Sequence, residues 1–289
     1  MPSIIAHPLE VRMVPDANLA WLFTEVPWPE RFAAAAAAGF VGVEMPWPPL
    51  PPGEVAQLLA EHELASVLVN VPVGEGEFAF GWACRPDGED EFRRSFLAAQ
   101  EYAELTGTRF IHVLAGLCPP GLDPAEAYAT YHENLVWALD QLTTDGPTLV
   151  VEAINRRDNP HFLLAGLADA ARLVRSIESP RLRLLFDTFH CGVELLGAGG
   201  DETEAEVAAT VATLFAEVSD IAGHIQLGDA PGRTEPGSGE IDFDEFFTTL
   251  RDLDWAGYVG GEYRPLAATQ ASLGWRGALV AAEAGDLKG

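Results

Sequence analysis

Four polar residues close apolar, β-branched runs of the chain: Glu152 in VVEAIN, Asp187 in LLFDTFH, Gln226 in HIQLGD and Glu262 in YVGGEYRP. They lie 35, 39 and 36 residues apart. Three carboxylates aimed at one place would repel strongly in a low-dielectric cleft, so their convergence calls for a cation. A donor set of three carboxylates and one amide suits a hard divalent ion, Mg2+ or Mn2+, rather than a thiolate-selected metal. Such an ion could hold the carbonyl and adjacent hydroxyl oxygens of a sugar-like substrate and stabilise an enediolate while glutamates move protons between neighbouring carbons. Three further residues are candidates for substrate binding. His190, expected in the loop after the sixth strand, can hydrogen-bond a hydroxyl. His224 alternates with Gln226 and faces the same interior one layer deeper. Arg233, in DAPGRTEPGSGEI, is a natural bidentate partner for a substrate carboxylate. Taken singly, each has a bland reading as a solvated acid, a backbone-satisfied histidine or a turn arginine. The repeated interval favours a site.

That interval requires elements which recur with the same period. Strands are expected near 12–17, 40–45, 65–71, 109–114, 148–153, 183–187, 222–226 and 258–262, with helices over 29–38, 53–63, 89–106, 124–143, 167–178, 203–218, 242–253 and 267–282. Asp242 followed by Glu245 is a capping-box pattern. Eight such units in 289 residues is about 36 residues each, which fits an α/β chain folded as a closed (β/α)8 TIM barrel, a single domain over 1–289. A doubly wound open sheet would open on a GxGxxG turn, and none is present. In a barrel the four residues meet at the carboxyl rim. The longer inserts at 72–91 and 229–241, with Trp28, Trp47 and Trp82 in the early loops, are expected to wall a pocket there. Asn18 and Asn70 could donate to a hydroxyl, while His112 points inward without an assigned role.

Composition removes whole classes of function. With 17 Lys plus Arg against 44 Asp plus Glu, the net charge of -27 argues against nucleic acid or an anionic membrane as partner. Lys288 is the only lysine, so Schiff-base chemistry, a pyridoxal-phosphate lysine and a P-loop have no candidate on an ordered element. Cys84, Cys118 and Cys191 form no CxxC pair and suggest reduced thiols in the cytoplasm. No signal peptide or run of 18 apolar residues is visible.

The strings NLAWLFTE, AAGFVGVE, FIHVLAG, VEAIN, FDTFH, HIQLGDAPGRTEPGSGEI and GYVGGEYRP resemble the hydroxypyruvate isomerase family, a branch of the xylose isomerase-like barrels, from about Asn18 to Pro265. The resemblance implies that Glu152 and Glu262 are the acid–base pair, and that a divalent metal sits on these two with Asp187 and Gln226. The expected substrate is a small anionic 2-oxo acid, hydroxypyruvate giving tartronate semialdehyde, with 2-oxo-tetronate isomerase and ketose 3-epimerase as alternatives on the same barrel. Such barrels are commonly homo-oligomers. Two segments, VPVGEGEFAFGWAC and RRDNPHF, depart from the family pattern and are expected to line the pocket. Asp187 and His190 also match the DxxH spacing of endonuclease IV-like nucleases, against which the charge and Gln226 count. A non-catalytic barrel that binds a sugar acid is the remaining reading.

Overall fold

The computed structural model describes residues 13–198 and 204–284. Lys288, the first residue of the first expected strand and the start of the helix expected at 203 lie outside the described residues. Eight parallel strands close on themselves in chain order: β1 (Met13–Asn18), β2 (Gly42–Met45), β3 (Ala65–Asn70), β4 (Phe110–His112), β5 (Thr148–Glu152), β6 (Leu182–Asp187), β7 (Ala222–Leu227) and β8 (Gly257–Gly261). β8 pairs back onto β1, with Asp16 opposite Gly260. Around them run α1 (Trp28–Ala37), α2 (Pro52–Glu61), α3 (Glu89–Thr106), α4 (Pro124–Gln141), α5 (Leu167–Ile177), α6 (Thr188–Ala198), α7 (Glu204–Val218), α8 (Phe243–Asp252) and α9 (Trp275–Ala284).

Local chemistry sets several of these ends. Asp123 accepts from the Ala125 amide at 3.0 Å and is followed by Pro124, which starts α4. Asp242 caps α8 through the Glu245 amide at 3.0 Å. Gly107 ends α3 in the left-handed region, at φ 68°, which glycine adopts without a Cβ clash.

Alternation along each strand decides what reaches the barrel interior. In β6, Phe186 turns outward to pack edge-on against Phe215 of α7, at 5.1 Å between ring centroids, and beside Phe246 of α8. Leu185 and Asp187 therefore turn inward. Below the rim, Leu68, Phe110, Val150 and Leu185 fill one side of the interior as an apolar plug. Asp16, Glu44 and His224 occupy the other side, all fully buried. Gly260 permits this arrangement, because a Cβ there would meet Glu44 Oε1 at 3.0 Å and Asp16 Oδ2 at 3.3 Å.

The structure departs from the expected element order after β6. Where one helix was expected before β7, α6 precedes α7. Asp187 Oδ1 accepts from the Phe189 and His190 amides at 2.8 and 3.3 Å, so the last strand residue serves as a helix cap and no loop intervenes. The helix expected over 267–282 is a 3-10 turn, Thr269–Ser272, followed by α9. Among the described residues no helix is long and apolar enough to cross a membrane.

Candidate active site

Glu152 ends β5, Asp187 ends β6, Gln226 is the penultimate residue of β7 and Glu262 follows β8. A cavity of about 530 Å³ opens at this rim, and Glu152, His190, Gln226, Arg233 and Glu262 all line it. Asp187 does not line it; it is 2% exposed and bonded to Arg233. His190 stands in the first turn of α6, correcting the loop position expected for it.

Arg233 occupies the centre of the carboxylates. Its Nη2 donates to Asp187 Oδ2 at 2.8 Å and lies 2.9 Å from Glu262 Oε2, while Nε donates to the Glu262 carbonyl at 3.2 Å. The guanidinium packs over Trp21 at 4.9 Å and Phe189 at 4.8 Å. Burial alone would lower the Arg233 pKa, but Asp187, Glu262 and Glu152 outweigh it and hold the group above its ordinary value. Arg233 was expected as a bidentate partner for a substrate carboxylate; in this structure Nη2 is on Asp187 and Glu262, Nε on the Glu262 carbonyl and Nη1 at His190.

One arginine does not balance three acids. Burial first, then the charges of Asp187 and Glu262, push the Glu152 carboxyl well above its ordinary range against the pull of Arg233. Burial also raises Glu262 to about 8, with Glu44 and Asp187 adding to the rise; Arg233 and a hydrogen bond from Trp21 oppose it. The site is short of positive charge.

Both ring nitrogens of His190 face hydrogen-bond donors. The Asn155 backbone amide, at 3.3 Å, and its side-chain amide, at 2.7 Å, both point at Nδ1. Asn155 Oδ1 accepts from the Asp158 amide at 2.9 Å, which fixes the side-chain orientation. Arg233 Nη1 points at Nε2, so the ring is clamped between Asn155 and Arg233. Burial lowers the His190 pKa to about 4, so the ring is neutral near pH 7. Its Nε2 lies 3.7 Å from Glu152 Oε1 and 3.0 Å from Arg233 Nη1. His112 lines the cavity as well, with Nε2 3.7 Å from Glu152 Oε2 and a pKa brought to about 3 by burial and by the imidazoles of His224 and His190.

Glu152, Asp187 and His190 offer ligand atoms within 4.8 Å of one another, a group able to hold a metal. Donors already face both His190 nitrogens, which weighs against a nitrogen ligand. The oxygen donors fit. Gln226 Nε2 donates to Glu44 Oε1 at 2.8 Å, which leaves the Gln226 carbonyl oxygen as an acceptor on the cavity side. The raised carboxyl groups of Glu152 and Glu262 show the charge deficit that a divalent ion would meet. Its entry requires Arg233 to release Asp187 Oδ2.

Beneath the rim the position of His224 does not carry the expected substrate contact. It is fully buried, bonds Glu44 Oε2 through Nε2 at 2.7 Å and does not line the cavity. Asn18 lines the cavity, but its side-chain amide donates to Glu44 Oε1 at 3.1 Å. Arg157 and Asp158 of the RRDNPHF segment and Phe80 of the 72–91 insert form walls, as expected. The tryptophans differ from expectation: Trp47 packs on Tyr102, Trp82 stacks on Phe78, Trp28 opens α1, and none of the three lines the cavity. Trp21 does. Sequence reasoning also missed Asn155, Asp16 and Glu44. For Glu44 a signal existed, because it precedes Glu152 by 108 residues, or three repeats.

A closed eight-stranded barrel with this acidic carboxyl rim belongs to the xylose isomerase-like TIM barrel family, whose model matches residues 32–278. Among its relatives, the hydroxypyruvate isomerase of Escherichia coli is 36% identical over 90% of this chain and 96% of its own length. The 2-oxo-tetronate isomerase of Cupriavidus necator is also 36% identical, over 90% of this chain and 95% of its own. A solved structure described as an AP endonuclease, family 2, from Brucella melitensis superposes with a TM-score of 0.81 at 32% identity, covering 91% of this chain and 98% of that one.

Proposed function

We propose that the chain is an isomerase of 2-oxo sugar acids, converting hydroxypyruvate to tartronate semialdehyde by proton transfer between adjacent carbons. The observation that carries this reading is the pair Glu152 and Glu262 facing one cavity, both with carboxyl pKa values raised by burial, Glu262 to about 8. A carboxyl group titrating near the working pH can take a proton from carbon and return it, which one of ordinary acidity does poorly. Glu152 and Glu262 reach the cavity from β5 and from the end of β8, so the ionised one takes a proton from C3, the protonated one gives its own to C2, and the O3 hydroxyl proton passes to O2. His190, clamped between Asn155 and Arg233 and 3.7 Å from Glu152 Oε1, shapes the wall against which the substrate's reacting carbons lie. Trp21 and Phe189 exclude water from the Arg233 side. Mg2+ or Mn2+, held by Glu152, Asp187, Glu262 and the Gln226 carbonyl oxygen, would polarise the substrate carbonyl.

The names of the relatives support this substrate class. The cavity of about 530 Å³ has room for a three- or a four-carbon acid, so a 2-oxo-tetronate stands as the alternative substrate, in line with the name of the second relative. The net charge of -27 speaks against a nuclease. Cys84, Cys118 and Cys191 are free thiols, consistent with a cytoplasmic enzyme. The test is exchange of the hydroxypyruvate C3 hydrogens with deuterated solvent, followed by NMR with and without Mn2+. Exchange accompanied by tartronate semialdehyde is expected; folded protein that exchanges nothing under either condition refutes the proposal.

A further inference from the structure

Three arginines line the cavity: Arg157, Arg233 and Arg264. Arg233 is committed to Asp187 and Glu262, and taking it away would leave two buried acids unpaired. Arg157 is neutralised by Asp158, with Nε on Oδ1 at 2.8 Å and Nη2 on Oδ2 at 3.0 Å, and a further bond to the Pro231 carbonyl. Arg264 differs from both. Among the described residues its guanidinium has no hydrogen bond or ion pair; its recorded contact is with the Trp21 ring, at 5.4 Å.

Its placement follows from the chain. Arg264 follows Glu262 across a bend at Tyr263, and both side chains line the cavity, Arg264 at its exposed end. Tyr263 between them turns away and is fully buried, its hydroxyl 3.0 Å from Trp275 Nε1. The Arg264 amide donates to the Arg233 carbonyl at 2.8 Å, and Pro265 restricts the backbone of the residue before it. An exposed cation without an ion pair, on an anchored backbone, thus lines a cavity whose interior acids repel anions.

We infer that Arg264, backed by Trp21, is the subsite for the substrate's carboxylate. This rests on the isomerase reading and assigns the carboxylate a different partner from Arg233. The acid end of the substrate lies toward the mouth on Arg264, and its carbonyl and hydroxyl carbons reach down to Glu262 and Glu152. An anionic substrate then approaches against a net charge of -27 because this one guanidinium is not already paired.

The experiment compares hydroxypyruvate with dihydroxyacetone, an uncharged three-carbon counterpart, in wild type, Arg264→Gln and Arg264→Lys, using solvent deuterium exchange. Loss of a charge-assisted contact predicts that Arg264→Gln raises KM for hydroxypyruvate roughly 10- to 100-fold. Its kcat stays within a few-fold, exchange into dihydroxyacetone is unchanged, and Arg264→Lys restores most of the affinity. A hydroxypyruvate KM within twofold of wild type, or equal losses for both compounds, overturns the assignment. Calorimetry with tartronate, a dianion that cannot isomerise, separates this claim from the isomerase claim. Should wild type exchange neither compound, the isomerase reading fails, while tartronate binding at least tenfold weaker in Arg264→Gln still supports the subsite. Equal tartronate binding by the two proteins, or none by wild type, overturns it.

Discussion

Asp16 is a buried acid with nothing to hold its charge. It is fully buried on β1, and neither carboxylate oxygen has a hydrogen-bond partner. Burial, then the charges of Glu44 and Glu262, raise its pKa well above the ordinary 3.8. Below pH 3.8 the carboxyl is protonated in both the folded and the unfolded chain, and its ionisation does not affect stability. Above that pH the unfolded chain releases the proton while the folded chain keeps it. Stability then falls by about 1.4 kcal/mol per pH unit until the folded-state pKa is reached, which amounts to at most about 4 kcal/mol at pH 7. Asp16→Asn keeps the shape and removes the ionisation. Its melting temperature is expected to exceed that of wild type by roughly 5–10 °C at pH 7.5, and by almost nothing at pH 4. Circular dichroism melts of both proteins across that range measure the difference. A gain that does not grow with pH, or a loss at pH 7.5, would show that Asp16 is satisfied by something it holds, and the reasoning would fail.

Three further outcomes follow from the site at the rim. Glu152→Gln and Glu262→Gln should each lower kcat/KM for hydroxypyruvate by about 10²- to 10⁴-fold with an unchanged near-ultraviolet circular dichroism spectrum; a variant retaining near wild-type turnover removes that residue from proton transfer. Because the Glu262 carboxyl titrates at about 8 and a base must be ionised, kcat/KM without added metal should rise with pH through about 8. Mn2+ should move that limb to lower pH, since a cation favours the ionised carboxyl. At a hundredfold excess over its dissociation constant Mn2+ should also add about 2.7 kcal/mol of stability at pH 8, and less at pH 5.5, where protons compete for the same oxygens. A melting temperature indifferent to Mn2+ at both pH values would argue against the oxygen-ligand site.

The barrel was legible because its period is written in the chain: strand-end residues recur at one β/α repeat, and Glu152, Gln226 and Glu262 do reach one cavity. Two kinds of feature were not. The first is the cap. Asp187 was read as a strand-end acid, yet its Oδ1 also starts α6, and the apolar character of FHCGVELL concealed a helix that lies directly against the barrel. The second is the choice of partner. Spacing places a Cα but says nothing about which charge a long side chain will meet, so three acids were assigned to a metal and Arg233 to the substrate. In the folded chain Arg233 bends back from the loop after β7, at φ 53°, and pairs with Asp187 and Glu262. With that pairing made, the cation left for an anionic substrate has to come from elsewhere on the rim. The residues next to Glu262 supply one. The string GEYRP puts an arginine two residues after Glu262, and Tyr263 between them has both the apolar ring and the hydroxyl needed to be buried against Trp275. Burial of Tyr263 at this bend leaves Glu262 before it and Arg264 after it both lining the cavity.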